Sequence, residues 1–201
     1  MYELEFHKSL DTDEVFEIYN KYEKSVHGKE KNRGDLKGHL CSSPAYDEND
    51  ENEKYRIERP APYDDDQVDD GREFKNEGLC PGKGSYHLYH RIDGKLVAVG
   101  VLDITENIFN SQYFIYDPEF AFLHLGVVGA IHEIEYMRMR QEKFNQVFNQ
   151  YALGELVIDC PKVNYKLNYK PGLVVCPRTK QLVKFDDVKQ KMKDYAKIPI
   201  K

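Results

Sequence analysis

The 201-residue chain has no apolar run long enough to cross a membrane. Its longest apolar stretch, Leu96–Leu102, has the length of a strand, whereas a membrane helix needs roughly 20 apolar residues. The first ten residues, MYELEFHKSL, also lack the apolar core of a secretory signal peptide. We therefore expect no membrane partner and a location in the cytoplasm, with the nucleus as a further compartment.

Closely spaced cysteines are also missing. The four cysteines lie far apart and form no CxxC pair: Cys41, Cys80, Cys160 and Cys176. A disulfide scaffold needs a dense set of cysteines, and a zinc ribbon needs CxxC pairs. We therefore expect free thiols in a reducing compartment and no metal site.

The residues that are present can build a folded core, since 40% of the chain is hydrophobic, including 15 Tyr and 10 Phe. The net charge of −6 is unevenly distributed. Pro44–Leu79 contains 13 acidic and 5 basic residues, and Cys160–Lys201 contains 11 basic and 3 acidic residues. We expect a single domain over residues 1–201 with an acidic, disordered insertion at about 44–79. The basic end either faces a polyanion or is ordinary solvated surface.

Helical spacing of apolar residues predicts helices at both ends of the chain. In the first helix, Asp11 and Glu14 resemble a capping box, and Gly28 supplies the C-terminal cap. A second, short helix is predicted over Asp35–Cys41, and a last helix over Phe185–Ala196.

The clearest helix begins near Gly126, and an apolar stripe runs along it: Val127, Ile131, Ile134, Met137, Phe144 and Phe148. We expect it to pack across a sheet through Ile131, Ile134 and Met137. The glycines of its first turn, LGVVGA, either hold a pyrophosphate on free N–H groups or allow close helix–sheet packing.

The strand pattern predicts a central hairpin. Tyr86–Ile92 and Lys95–Ile104 flank an Asp-Gly turn, and LVAVGVLDI has the continuous apolar character of a strand covered on both faces. Further strands are predicted at Gln112–Tyr116 and Leu156–Asp159. Together the elements predict a mixed α/β layer fold.

Several motifs occur in an order that resembles the C-terminal catalytic domain of the arginyl-tRNA–protein transferases. The similar segments are YNKYEKSVH (19–27), LCSSP (40–44), GSYHLYHRIDGKLVAVGVLDI (84–104), YFIYDP (113–118), LGVVGAIHEIEYMR (125–138) and CPKVNYKLNYKPGLVVCP (160–177). The resemblance implies an acetyltransferase-like (GNAT-like) α/β fold with a mainly antiparallel sheet. It also implies an acyltransferase that moves arginine from arginyl-tRNA to the N-terminal amine of proteins beginning with Asp, Glu or oxidised Cys. This protein arginylation creates an N-degron for ubiquitin-dependent degradation.

The sequence departs from the family pattern in several respects. We expect the family's N-terminal cysteine-rich domain, with its iron–sulfur or metal motif, to be absent, and therefore no cofactor in this chain besides the co-substrate arginyl-tRNA. A separate domain or chain is an expected partner. His132-Glu133 stands where the family commonly has Arg-Glu, and Asn164 replaces a basic residue.

The resemblance also implies site residues. His87 and Asp117 would bind or deprotonate the amine, and Glu133 would hold a cation such as the arginine guanidinium. Lys162 or Lys166 would pair with the acidic N-terminal side chain. Four tyrosines would position the terminal adenine of the tRNA or donate a hydrogen bond to an oxyanion: Tyr113, Tyr116, Tyr165 and Tyr169. The full substrate-binding set is Ser85, Tyr86, Ser111, Tyr113, Tyr116, Lys162, Tyr165, Lys166 and Tyr169. The basic charge balance after Asp159, and not the resemblance, selects the tRNA-binding set: Lys170, Lys184, Lys189, Lys191 and Lys193.

Each assignment has a structural alternative. The tyrosines could be packing residues, Asp117 could shape a turn before Pro118, Glu133 could pair with Arg138 across the helix surface, and His87 could be an ordinary surface histidine. Two other functions remain open: a non-catalytic module that binds tRNA or protein N-termini, and an acyl-CoA-dependent acetyltransferase. The glycine spacing and the basic end disfavour the acetyltransferase.

Overall fold

The computed structural model describes residues 1–43, 84–144, 148, 150–160, 163–176 and 178–196. Two predictions fall outside these residues: the acidic insertion at 44–79 and the role of Lys162. The chain forms two compact units, Met1–Ala152 and Leu153–Lys201.

The first unit is built on a five-stranded sheet with the strand order β1-β2-β3-β4-β5. Its strands are β1 (Tyr2–Lys8), β2 (Gly84–Ile92), β3 (Lys95–Ile104), β4 (Ile108–Tyr116) and β5 (Gln150–Ala152). Neighbouring strands are antiparallel, except that β4 and β5 run parallel and pair over Ile108–Asn110. This sheet, with helices packed on it, confirms the predicted mixed α/β class.

The central hairpin is present as predicted. β2 and β3 meet at the Asp93-Gly94 turn, where both residues have a positive φ, and β3 is buried from Leu96 to Ile104. β4 begins at Ile108 instead of Gln112. β1 was not predicted, although Leu4 and Phe6 alternate with acidic residues at strand spacing.

Helices α1 (Asp13–Tyr22) and α2 (Arg33–Leu40) pack on one face of the sheet. The prediction that Asp11 caps α1 is wrong: the hydroxyl of Thr12 accepts the hydrogen bond from the Val15 N–H, and Asp11 pairs with Arg33. A π-helical turn, Glu23–His27, follows α1 and ends at Gly28 with a φ of 65°.

Helix α3 (Leu125–Phe144) packs on the opposite face. Of the three predicted contacts, the one through Met137 is confirmed, because Met137 packs against the core between α3 and the sheet. The contact through Ile131 is wrong, because Ile131 is 48% exposed, and Ile134 is half-buried. The buried residues are instead Leu125, Gly129, Ala130, Glu133 and Tyr136. Phe148, assigned to the same stripe, lies beyond the end of the helix.

The glycine at position 129 explains which side of α3 faces the sheet. A Cβ atom at this position would lie 2.4 Å from Cε2 of Phe114, so only glycine leaves room for the ring of this β4 residue. The side of the helix that carries Gly129 and Ala130 can therefore approach the sheet more closely than the side with Val127 and Ile131. Of the two roles considered for the glycines, close packing accounts for Gly129.

The second unit contains a 3-10 helix (Asn164–Asn168), a hairpin of β6 (Leu173–Val175) with β7 (Leu182–Lys184), and helix α4 (Phe185–Ala196). The α4 prediction is confirmed. The predicted strand at Leu156–Asp159 is wrong, because this segment forms irregular structure and a turn. In neither unit does a described helix combine the length and the apolar character needed to span a bilayer.

Candidate functional site

The predicted site residues of the first unit are divided between the two faces of the sheet. Val101 and Asp103 of β3 line a cavity against α2, as do Gln112 and Tyr113, which are consecutive in β4 because the ladder has a bulge there. Ser111 instead hydrogen-bonds to Glu133 of α3 on the other face. Two separate polar groups result, one on each side of β3 and β4.

A cavity of about 200 Å³ lies on the α2 side of β2–β4. Its polar and aromatic lining consists mainly of His39, Ser43, Ser85, Asp103, Gln112 and Tyr113. Two of these, Ser85 and Tyr113, are predicted substrate-binding residues. The cavity therefore offers space for a small group beside these two predicted residues.

Asp103 supplies the negative charge of this cavity. The residue is only 4% exposed. The Ser43 hydroxyl donates to Oδ1 at 2.5 Å, and the Gln112 amide donates to Oδ2 at 2.8 Å. Among the described residues no lysine, arginine or histidine forms an ion pair with Asp103. A buried carboxylate held by neutral donors is suited to binding a cation.

Tyr113 forms an aromatic wall of the same cavity. Its hydroxyl lies 3.4 Å from Oε1 of Glu23 and 3.3 Å from Nε2 of His27, both in the π-helical turn. Its ring meets that of His39 edge-on at 4.8 Å, and burial raises the pKa of its hydroxyl. Tyr116, the next predicted tyrosine along β4, contacts Tyr22 with a centroid separation of 5.1 Å.

Glu133 lies on the α3 face and is fully buried. The Tyr151 hydroxyl donates to its Oε2 at 2.6 Å, and Ser111 forms a second hydrogen bond with the carboxyl group. Within the described structure, Oε1 has no hydrogen-bond partner. Burial raises the pKa of Glu133 to about 7, although the bonds from Tyr151 and Ser111 act in the opposite direction. The structure thus brings together two predicted residues, Glu133 and Ser111.

Gly100 makes this position of Glu133 possible. A Cβ atom at position 100 would lie 2.8 Å from Oε1 of Glu133. The missing side chain in the central strand leaves space for the carboxyl group to rest against the sheet. Glu133 faces the sheet, whereas Arg138 is exposed, so the alternative of a surface pair with Arg138 is not observed.

The other two predicted catalytic residues are engaged within the fold. Nε2 of His87 lies 3.0 Å from the Leu40 carbonyl oxygen and 2.9 Å from the Ser9 hydroxyl. Asp117 accepts a hydrogen bond from the Glu119 N–H at 3.1 Å, which caps the 3-10 helix Pro118–Leu123. Both buried side chains thus have polar contacts within the fold.

Asp117 also pairs with two lysines, Lys95 at 3.3 Å and Lys21 at 3.6 Å. Burial acts to raise the pKa of Asp117, but the Glu119 N–H and the two lysines hold it below its ordinary value. Such a carboxylate stays ionised at neutral pH and is a weak base. Tyr86, predicted to bind substrate, is 3% exposed and packs on Phe6 in the α3-side core.

The remaining predicted residues belong to the second unit. Tyr165, Lys166 and Tyr169 lie in or beside its 3-10 helix, with the two tyrosine rings 6.4 Å apart. The Lys166 ammonium donates to the Glu155 carbonyl oxygen at 2.7 Å, and burial lowers its pKa. The five predicted tRNA-binding lysines are exposed: Lys170, Lys184, Lys189, Lys191 and Lys193.

Among the described residues no group of three His, Cys, Asp or Glu side chains is placed to hold a metal ion. The sequence profile described as "Arginine-tRNA-protein transferase, C terminus" matches residues 14–176, which is most of the chain. The chain belongs to this family. The match covers all of the first-unit site residues described above, on both faces of the sheet.

Individual relatives agree with the family. "Arginyl-tRNA--protein transferase 1" of Dictyostelium discoideum is 32% identical over 92% of this chain and 38% of its own length. The Drosophila melanogaster protein of the same name is 33% identical over 94% of this chain and 33% of its own length. The chain thus spans about a third of the length of these relatives.

Two more distant similarities are also present. "Aspartate/glutamate leucyltransferase" of Campylobacter jejuni (strain 81-176) is 33% identical over 90 residues, which cover 45% of this chain and 35% of that protein. A solved structure described as a possible acetyltransferase from Clostridium difficile 630 aligns with a TM-score of 0.44 and 12% identity, covering 85% of this chain and 88% of that one.

Sequence reasoning did not select the polar lining of the cavity apart from Ser85 and Tyr113. Asp103, Gln112, His39 and Ser43 were all left out, although Ser43 lies in LCSSP, one of the motifs that resemble the arginyltransferases. The sequence position of Asp103 could have indicated a site, because a carboxylate near the end of a continuous apolar strand needs a buried partner. The contact with Ser43, 60 residues away in sequence, could not be read from local spacing.

Proposed function

We propose that this chain is an arginyltransferase that moves arginine from arginyl-tRNA to the N-terminal amine of proteins beginning with Asp, Glu or oxidised Cys. The observation that carries the proposal is the family match over residues 14–176. The product would be an N-degron read by ubiquitin-dependent degradation in the cytoplasm. A cysteine-rich N-terminal domain, on this or another chain, is a proposed partner.

The proposed reaction is an aminolysis of an ester. The neutral α-amine attacks the carbonyl carbon of the arginyl ester and forms the new C–N bond. The bond from that carbon to the ribose oxygen of the terminal adenosine then breaks, and the proton lost by the amine ends on the ribose hydroxyl. An α-amino group has a pKa of about 7.7–8.0, so a base of modest strength suffices.

We assign the role of base to Glu133, whose Oε1 has no hydrogen-bond partner among the described residues although the side chain is fully buried. Its pKa of about 7 lies near the operating pH, whereas the pKa of Asp117 is lowered. Glu133 and the Asp103 cavity lie on opposite faces of β4 and adjoin it through the neighbouring residues Ser111 and Gln112. β4 pairs with β5 over Ile108–Asn110, and Ser111 and Gln112 come directly after this paired part. We therefore place the reaction near Ser111 and Gln112.

A transfer assay tests the proposal. Labelled arginyl-tRNA is incubated with the chain and peptides that differ only in their first residue, Asp, Glu or Ala. Label should appear on the Asp and Glu peptides and remain absent from the Ala peptide. Glu133→Gln should lower kcat and kcat/KM together, by roughly 10²–10⁴-fold for a general base.

The second candidate is a non-catalytic module that binds tRNA or protein N-termini. The engagement of His87 and Asp117 in contacts within the fold favours it, because these two residues then need no catalytic role. Retention of tRNA on the protein without transfer of label to any peptide would replace the arginyltransferase proposal with this one.

A further inference from the structure

We infer that the cavity on the α2 side of β2–β4 holds the guanidinium group of the arginine being transferred, and that Asp103 is the residue that pairs with it. The inference rests on the proposed function, since it assigns the donor side chain to this site. It moves the guanidinium contact from Glu133, where the family resemblance put it, to a carboxylate on the opposite face of the sheet.

The first argument is charge. Asp103 is a buried acid with neutral hydrogen-bond donors and no cationic partner among the described residues. An ionised carboxylate out of water is costly unless a cation or several donors compensate it. Glu133 is a poorer partner, because burial raises its pKa to about 7 and a large share of it is therefore neutral near pH 7.

The second argument is the hydrogen-bonding capacity of Asp103. A carboxylate offers about four acceptor positions, two on each oxygen. Ser43 occupies one position on Oδ1 and Gln112 one on Oδ2. Within the part of the chain that the structure describes, one position on each oxygen remains, which is the pattern that the paired N–H groups of a guanidinium require. The two donors also fix the plane of the carboxylate.

The third argument is the shape and lining of the cavity. Guanidinium groups are planar and stack on aromatic rings, and the rings of Tyr113 and His39 both line the cavity. A dry cavity of about 150 Å³ accepts benzene, so about 200 Å³ leaves room for one planar side-chain group. A leucine side chain would leave Asp103 unpaired, so the same contact would select arginine over leucine.

Binding of small arginine analogues tests the inference without tRNA. Isothermal titration calorimetry would compare L-argininamide with L-citrullinamide, which has the same shape but a neutral side chain. We expect citrullinamide to bind at least about tenfold more weakly, since it cannot form the charge-assisted pair of hydrogen bonds. Asp103→Asn should weaken argininamide binding by a similar factor. Asp11→Asn is the matched control, because its carboxylate is also mostly buried but lies outside the cavity.

Asp103 could pair with the guanidinium of the donor arginine or with the α-ammonium of the acceptor peptide. A peptide that begins with Asp separates these two cations, because it carries an α-ammonium and no guanidinium. Its affinity should be the same for wild-type protein and Asp103→Asn. Loss of peptide binding with retention of argininamide binding would overturn the inference, and so would equal binding of argininamide and citrullinamide to the wild type. If Asp103→Asn does not fold, amide chemical shifts of the wild type decide: argininamide should move Ser85, Gln112 and Tyr113, and shifts confined to other residues would contradict us.

The transfer assay separates this inference from the proposed function. Asp103-dependent argininamide binding by a chain that transfers nothing would support the guanidinium site and remove the arginyltransferase activity. If the wild-type chain transfers arginine and its Asp103→Asn variant binds argininamide normally, the arginyltransferase activity is supported and the guanidinium site at Asp103 is excluded.

Discussion

Glu133 gives the first unit a pH dependence that can be measured. Its pKa is about 7 in the folded protein and 4.5 as an ordinary glutamate, so between these values the folded state binds the proton more tightly than the unfolded state. The resulting stabilisation is fully present below about pH 4.5 and is lost as the pH rises through 7. This shift corresponds to about 3 kcal/mol.

Replacing this glutamate by glutamine should remove that loss. We expect the free energy of unfolding of Glu133→Gln, relative to wild type, to rise by about 3 kcal/mol between pH 4 and pH 8, as measured by urea denaturation. Burial and the charge of His132 lower the pKa of His90 to about 3. His90 therefore changes the free energy of unfolding in the opposite direction, since it destabilises the folded state as the pH falls below its ordinary pKa. Its contribution is common to both proteins and cancels. Parallel pH profiles for the two proteins would contradict the buried, proton-binding role of Glu133.

At the scale of elements, the contact between α3 and the sheet depends on Gly129. Gly129→Ala would place a methyl group 2.4 Å from the Phe114 ring. We expect a net destabilisation of about 1–3 kcal/mol from overpacking, despite the better helix propensity of alanine, with thermal unfolding as the measurement. Gly38→Ala in α2 is the matched control, because nothing lies within 4 Å of the added methyl group. It should stabilise by about 0.4–1 kcal/mol, and destabilisation of similar size in both variants would refute the packing account.

The elements also show what local sequence can and cannot predict. The β2–β3 hairpin was predictable because its turn and its continuous apolar strand are local signals. The buried side of α3 was not, because it carries Gly129 and Glu133 and is less apolar than the stripe through Val127 and Ile131. The choice of side depends on Phe114, which comes from another element. Glu133 and Ser111 were found through the family resemblance. Asp103 was missed because its partner Ser43 reaches it only in the folded chain.

At the scale of the whole molecule, the basic residues of the second unit are proposed to hold tRNA. Replacing Lys189, Lys191 and Lys193 by Ala should reduce the slope of log K for tRNA against log salt by roughly one unit for each phosphate that these lysines neutralise. Turnover at saturating tRNA should stay near the wild-type value. The same change at Lys24, Lys29 and Lys37, three exposed lysines of the first unit, should leave the slope unchanged. Equal effects of the two triple variants would exclude a dedicated tRNA surface on α4.

The most direct measurement of the central claim is a competition between two donors. Arginyl-tRNA and leucyl-tRNA are supplied at equal concentration with one peptide beginning with Asp, and the products are weighed by mass spectrometry. The proposed arginyltransferase, with Asp103 holding the guanidinium, predicts a peptide extended by arginine and none extended by leucine. A leucine-extended product in similar or larger amount, or no extended peptide at all, would contradict it.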